Sequence, residues 1–330
     1  MNSNPMLESA LNAIFESVII ESPSAYSIGG QRFSVTGATL AASLETRLYS
    51  LCYSREMSLS ADTGYPLPDP DDNLAMLLSA ANQTRERWDW GWKIIQTMPD
   101  GSLHAQKESA SRLLWPGEYE PMEAGAAVTP AAWVRAFLAK EDLRSQPGFY
   151  IAQPERTLTY EDHQFLVRFY WNVHSEGAPD LLAEITGRFN RLRVPFQFKT
   201  LRYRNQYDRG DAAVLFVTSR QAGIACRLGA EIHRRMTKRL RPGVPLFTRR
   251  LAPGLGFAEN PSNGESFGMH RCRLLAESIQ NAWEKGSQSP SERIAEFRSR
   301  FEAEGLSAAT PYLSHSLVDH YFSDTEFASL

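Results

Sequence analysis

The run HQFLVRFYWNV (163–173) sorts its side chains by twos, which a helix cannot do and a strand must. Phe165, Val167, Phe169, Trp171 and Val173 fall on one face, Leu166, Arg168, Tyr170 and Asn172 on the other. One face suits a core. The other carries a charge and hydrogen-bonding groups into a polar space. PFQFKTLRY (195–203) alternates again, DAAVLFVT (211–218) is a short apolar run of buried-strand type, and PLFTRRLA (245–252) is a further strand. Helical patterns lie between and beyond them. Asp180 caps a helix with Leu181, Leu182, Ile185, Phe189 and Leu192 on its apolar stripe, and residues 221–240 form a basic helix ending before Pro242-Gly243. Ser266 caps a third helix carrying Phe267, Leu274, Leu275 and Ile279, with Gly268 weakening its first turn. The expected class is α+β: a mostly antiparallel sheet with flanking helices.

Ahead of this, residues 1–145 read as a mainly helical region. Helical spacing runs over 5–20 and 35–53; PLPDPDDN (66–73) interrupts it, and Asn73 caps a helix over 74–90. Pro130 starts another helix with Trp133, Phe137 and Leu138 on its stripe. Trp88, Trp90 and Trp92 either close a core or offer a stacking surface. Pro147-Gly148 breaks the chain, so two domains are expected, 1–145 and 146–330. The stretch 286–330 is polar, helical around 290–304 and irregular after that.

A net charge of −3 over 330 residues hides a strong asymmetry. Between Thr186 and Arg250 stand 16 Lys and Arg against only Asp208, Asp211 and Glu231, so this segment carries +13 and the remainder −16. That distribution points to an anionic ligand in one region, or to a solvated basic helix face. Cys52, Cys226 and Cys272 are odd in number and far apart, which argues for a reducing compartment and against a disulfide framework. No apolar run reaches the roughly 18–20 residues of a membrane span. The acidic, amphipathic start lacks the basic region of a secretory signal. A cytoplasmic protein with no membrane partner is expected.

Motif chemistry is mostly negative. HExxH, CxxC and GxxxxGK[ST] are missing, and GLG (254–256) lacks the third glycine of a dinucleotide fingerprint. No metal or cofactor is expected. Two stretches stand out. RVPFQFKTLRYRNQYDRGDAAVLFV brings Lys199, Arg202, Arg204 and Arg209 together with Asp208 and Asp211. RPGVPLFTRRLAPGLGFAENPSNGESFGMHRCRLLAES is a Gly/Pro-rich loop between strand and helix, with Arg249, Arg250, Glu259, Ser266, His270 and Arg271.

These two stretches resemble the HopA-type effector domain family over roughly 145–282, most specifically around 241–277. The family includes type III secreted effectors of plant-pathogenic bacteria and enzymes of class V lanthipeptide and thioamitide clusters. The resemblance implies a phosphoserine/phosphothreonine lyase: a cognate kinase phosphorylates Ser or Thr of a precursor peptide, this domain eliminates phosphate to give a dehydroamino acid, and a cyclase follows. It equally admits an effector that reaches a host cell by a type III system and binds a phosphorylated protein without turnover. Arg249 stands where the family pattern leads one to expect lysine, so no lysine role transfers to it.

β-Elimination of phosphate needs a base for the Cα proton, a clamp for the dianion and help for the leaving group. Arg202, Arg204, Arg209, Arg249, Arg250 and Arg271 form the pool of phosphate binders, because guanidinium forks match phosphate oxygens. Lys199 is the candidate base, its neutral form favoured by neighbouring cations, or else an exposed strand lysine. Alternation puts Lys199 on the strand face opposite Arg202 and Arg204. His270, His174 and Tyr170 are candidate proton donors; for each histidine a structural role is the simpler reading. Arg168, Asp208, Asp211, Glu259 and Ser266 are supporting residues, with capping the simpler role for Ser266. Nucleic-acid binding through the helix 227–241 ranks last.

Overall fold

A computed structural model describes residues 5–55, 65–315 and 318–322. Its centre is a seven-stranded antiparallel sheet, in the order Arg249–Ala252, Leu255–Glu259, Leu166–Trp171, Ala213–Thr218, Gln197–Leu201, Phe149–Ala152, Glu141–Asp142. The class is α+β, as the alternating runs require. Leu166–Trp171 pairs residue for residue with Ala213–Thr218, and every one of its six residues is buried. Val167, Phe169 and Trp171 face a core shared with the helices Ala178–Arg191 and Ala222–Met236. Leu166 and Tyr170 face a second core built with the helices Pro5–Ser17, Leu40–Leu48, Phe267–Glu284 and Pro290–Ala303. The helical start of the chain thus covers the polar face of the sheet.

The second half of residues 1–145 departs from the helical expectation. The helix after Asn73 ends at Ala81, and Leu74 N–H is received by the Asp72 carboxylate (2.9 Å), not by Asn73. The expected helix from Pro130 is a strand, Trp133–Leu138: Val134, Ala136 and Leu138 are buried while Trp133, Arg135 and Phe137 turn outward, a period of two that three apolar residues alone did not reveal. It sits in a five-stranded antiparallel sheet ordered Ala110–Leu114, Leu103–Lys107, Arg87–Thr97, Trp133–Leu138, Tyr119–Pro121. Of the three tryptophans, only Trp92 enters its core (2% exposed); Trp88 and Trp90 stay 37% and 53% exposed. A small sheet, Val18–Ser22, Ala25–Ile28 and Gln31–Ser34, follows the first helix. Asp180 lies inside the first turn of its helix, which begins at Ala178 with Pro179 in the opening turn. Ser266 caps as expected, accepting from Met269 N–H at 3.3 Å.

After the Pro290–Ala303 helix, the chain returns across the sheet as a strap. Arg271, fully buried, donates to the carbonyls of Pro311 and Leu313 (both 2.7 Å) and to Ser314 Oγ (2.9 Å). Glu259, 1% exposed, receives the N–H groups of Ser314 (2.5 Å) and His315 (2.7 Å) and the Tyr321 hydroxyl (2.6 Å). Arg249 pairs with Asp319 and lies 4.6 Å over the Phe322 ring.

Candidate functional site

The polar face of the sheet holds the site. Register places Tyr170, Val214 and Lys199 in one cross-strand row, and Arg168, Phe216 and Gln197 in the next. The Phe216 ring separates two cations: Arg168 Cζ stands 5.0 Å from its centroid and Lys199 Nζ 5.6 Å. Lys199 Nζ also lies 4.7 Å from the Phe149 ring and 3.4 Å from Gln146 Oε1. Burial first, then the charges of Arg168 and Arg209, push its pKa down to about 8, with Asp211 pulling the other way. About a tenth of the amine is then neutral at pH 7, and more as pH rises, which is the form a base needs.

Arg168 is 9% exposed and pairs with no carboxylate among the described residues. Its Nε donates to Asn260 Oδ1 at 2.7 Å, and its Nη1 lies 3.5 Å from the Tyr170 hydroxyl. Such a guanidinium keeps donor capacity for an anion.

Opposite stands a buried pair. Arg209 Nε and Nη2 grip Asp211 Oδ1 (2.5 Å) and Oδ2 (2.7 Å), and the Tyr49 hydroxyl donates to Oδ2 at 2.8 Å. Burial opposes the Asp211 charge, yet Arg209 and Tyr49 hold its carboxyl below the ordinary range. Tyr49 stacks on Tyr53 at 5.1 Å. Burial raises both phenols well above their usual pKa, so both remain protonated donors. They sit on one wide helical turn, Tyr49–Tyr53, pressed onto the Phe267–Glu284 helix. Gly268 makes that contact possible, since a Cβ there would stand 2.6 Å from Tyr49 Cε2. The glycine that looked like a weakness in a first turn is a seat for two tyrosines. The Tyr65 ring lies between Arg209 (4.5 Å) and Arg55 (5.0 Å).

The sheet therefore gathers Lys199, Tyr170, Arg168, Arg209 and Asp211, and disperses the other candidates. Arg204 leaves the strand and pairs with Asp72 and Asn73. Arg202 stands beside the Tyr203 ring at 5.7 Å. Arg250 is exposed on the outermost strand, opposite Gly256. Arg249, Arg271 and Glu259 are consumed by the strap, so the loop-helix motif spends its charges on the chain itself. His270 is buried; Arg271 Nη1 reaches its Nδ1 at 2.7 Å, and burial with Arg271 and Arg273 lowers its pKa to about 4. It carries no second proton at neutral pH. His174 lies past the end of its strand, its N–H on the Arg239 carbonyl (2.9 Å), and burial and Arg241 lower its pKa too. Asp208 is exposed beside Arg55. Tyr49, Tyr53, Tyr65, Gln146 and Asn260 join the site without having been singled out in the sequence; the only signal was the i, i+4 spacing of Tyr49 and Tyr53. Among the described residues no group of three or more His, Cys, Asp and Glu could hold a metal, and no helix is long and apolar enough to cross a membrane.

Residues 141–313, more than half of the chain, match the HopA1 effector protein family. The chain belongs to that family. Among solved structures, this HopA1-family chain is similar to the effector protein from Pseudomonas syringae pv. tomato strain DC3000, with 15% identity, a TM-score of 0.50, and coverage of 95% of this chain and 100% of that one. It also matches the effector protein from Pseudomonas syringae pv. syringae strain 61 at 14% identity and a TM-score of 0.45, over 82% and 88% of the two chains. The first likeness extends the common fold across the amino-terminal sheets and helices. No curated protein matches the sequence.

Proposed function

We propose that this protein is a phosphoserine/phosphothreonine lyase acting on a phosphorylated precursor peptide, as in lanthipeptide- and thioamitide-type biosynthesis. The observation that carries the reading is the half-buried Lys199 amine, with a pKa of about 8, on the same sheet face as the carboxylate-free Arg168. Neutral Lys199 Nζ takes the Cα proton and becomes an ammonium. The Cα–H electron pair forms the Cα–Cβ double bond, the Cβ–Oγ bond breaks, and inorganic phosphate leaves with the pair of that broken bond. Arg168 binds the departing dianion, with Tyr170 donating to one of its oxygens. Arg209 is held in place by Asp211 and Tyr49, and the half-exposed Arg202 is the remaining arginine at the end of the Lys199 strand. Residues 146–330 form the lyase-like unit in this reading, and residues 1–145 roof its site through Tyr49 and Tyr53. A kinase supplies the phosphopeptide and a cyclase consumes the dehydroamino acid, all in the cytoplasm.

Purified protein mixed with a phosphothreonine peptide is expected to release phosphate and leave a product lighter by H3PO4. A product in which the free hydroxyl replaces phosphate refutes the lyase in favour of a phosphatase. A second reading, a module that binds a phosphorylated host protein without turnover, draws on the likeness to Pseudomonas syringae effector proteins. Saturable phosphopeptide binding with no mass loss selects it.

A further inference from the structure

Between the five-stranded sheet and the edge of the central sheet lies a cavity of about 220 Å³ that the elimination chemistry does not use. Arg112 lines it. Its guanidinium makes only long bonds to neutral acceptors, Thr157 Oγ1 (3.3 Å), the Ala139 carbonyl (3.5 Å) and the Pro154 carbonyl (3.2 Å), and pairs with no carboxylate among the described residues. Burial, reinforced by Arg87, lowers its pKa to about 10, as expected of a cation short of counter-charge. Trp115 lines the same cavity, and its buried Nε1–H has no partner among the described residues. Arg144 lies over the Trp115 ring at 5.4 Å and holds the indole in place. An unmet buried donor such as the Trp115 N–H is rare and costly.

The charges of Glu118 and Asp89 reach Arg112, but among the described residues no acidic group of the wall hydrogen-bonds to these donors. Glu118 receives the Trp115 backbone N–H (3.1 Å), Glu141 the Tyr150 hydroxyl (2.5 Å), and Asp142 the N–H groups of Arg144 (2.8 Å) and Ser145 (3.0 Å). Burial raises the Glu118 pKa, against the pull of the Trp115 N–H and of Arg144. What is missing is an acceptor from outside.

The cavity adjoins the base. Gln146 lines it and touches Lys199, and Gln197 lines it from two residues before Lys199 on the same strand face. Two strand residues span about 7 Å, which is about two residues of extended peptide. We propose that this cavity is a subsite for a carboxylate side chain of the substrate, an Asp or Glu within about three residues of the phosphorylated one. The assignment rests on the lyase reading above and deepens it.

The test is a set of phosphothreonine peptides in which Glu or Gln is walked through the three positions on either side of the phosphorylated residue. At one position Glu is expected to lower KM about tenfold relative to Gln, with kcat unchanged. Arg112→Gln brings that ratio to about one. Trp115→Phe keeps the ring, removes the N–H and lessens the ratio, so it decides the matter if Arg112→Gln does not fold. Phosphate release by the wild type tests the lyase independently. Fluorescence anisotropy of the same peptides, labelled, reports the Glu preference even where no phosphate is released. A Glu/Gln ratio of one at every position in the wild type, or a preference that survives in the folded variants, overturns the subsite.

Discussion

Lys199 offers the most direct test, because its protonation can be read without turnover. Reductive methylation with a ¹³C label gives each of the six lysines an NMR signal, and a Lys199→Arg variant identifies the one of interest. Its inflection is expected near pH 8 instead of 10.5. That displacement corresponds to about 3 kcal/mol at roughly 1.4 kcal/mol per pH unit. The sign for stability follows. The folded amine loses its proton before the unfolded one, so between about pH 8 and 10.5 the unfolded chain binds more protons and this residue makes the fold more stable as pH rises. Burial is the largest cause and Arg168 the second. Arg168→Gln should therefore move the inflection upward without reaching 10.5, whereas removing the Asp211 charge should move it further down. A wild-type Lys199 signal inflecting at or above 10 would falsify the base assignment, and so would an inflection that Arg168→Gln leaves in place.

Elimination should follow the same titration: kcat/KM rises with pH, inflects near 8 and levels off, and Lys199→Ala loses about 10²–10⁴-fold of activity in a phosphate-release assay. Asp211→Asn leaves Arg209 buried without its counter-charge and should cost about 3–5 kcal/mol in denaturant melts, part of which Arg209→Gln in the same chain restores. Gly268→Ala should lower activity despite the roughly 1 kcal/mol that alanine gains in a helix, because the new Cβ displaces Tyr49 and Tyr53; unchanged kinetics would remove those tyrosines from the site.

The central sheet was legible because its strands are buried on both faces or alternate cleanly, although the run 163–173 gives a strand only over Leu166–Trp171: His163 and Gln164 end a helix, and Phe165, expected on the core face, is 53% exposed. The strand Trp133–Leu138 was not, because an apolar pair at i, i+4 satisfies a helix as readily as a strand until the partner at Arg87–Thr97 is known. Charge located the site only coarsely. Lys199 and Arg209 reach it, but Arg204 does not, because the strand stops at Leu201 and Asp72, 132 residues earlier, captures the arginine. Tyr49 and Tyr53 stayed hidden for a related reason: their role depends on Gly268, a contact between helices that no local pattern announces.

The strap has a consequence for biosynthesis. A chain emerging from the ribosome completes the Leu255–Glu259 strand and the Phe267–Glu284 helix well before residues 311–321 exist. Until then Glu259 and Arg271 are charged, destined for the interior and without their partners. The sheet can therefore collapse early but cannot close around its own motif until residues 311–321 have been made.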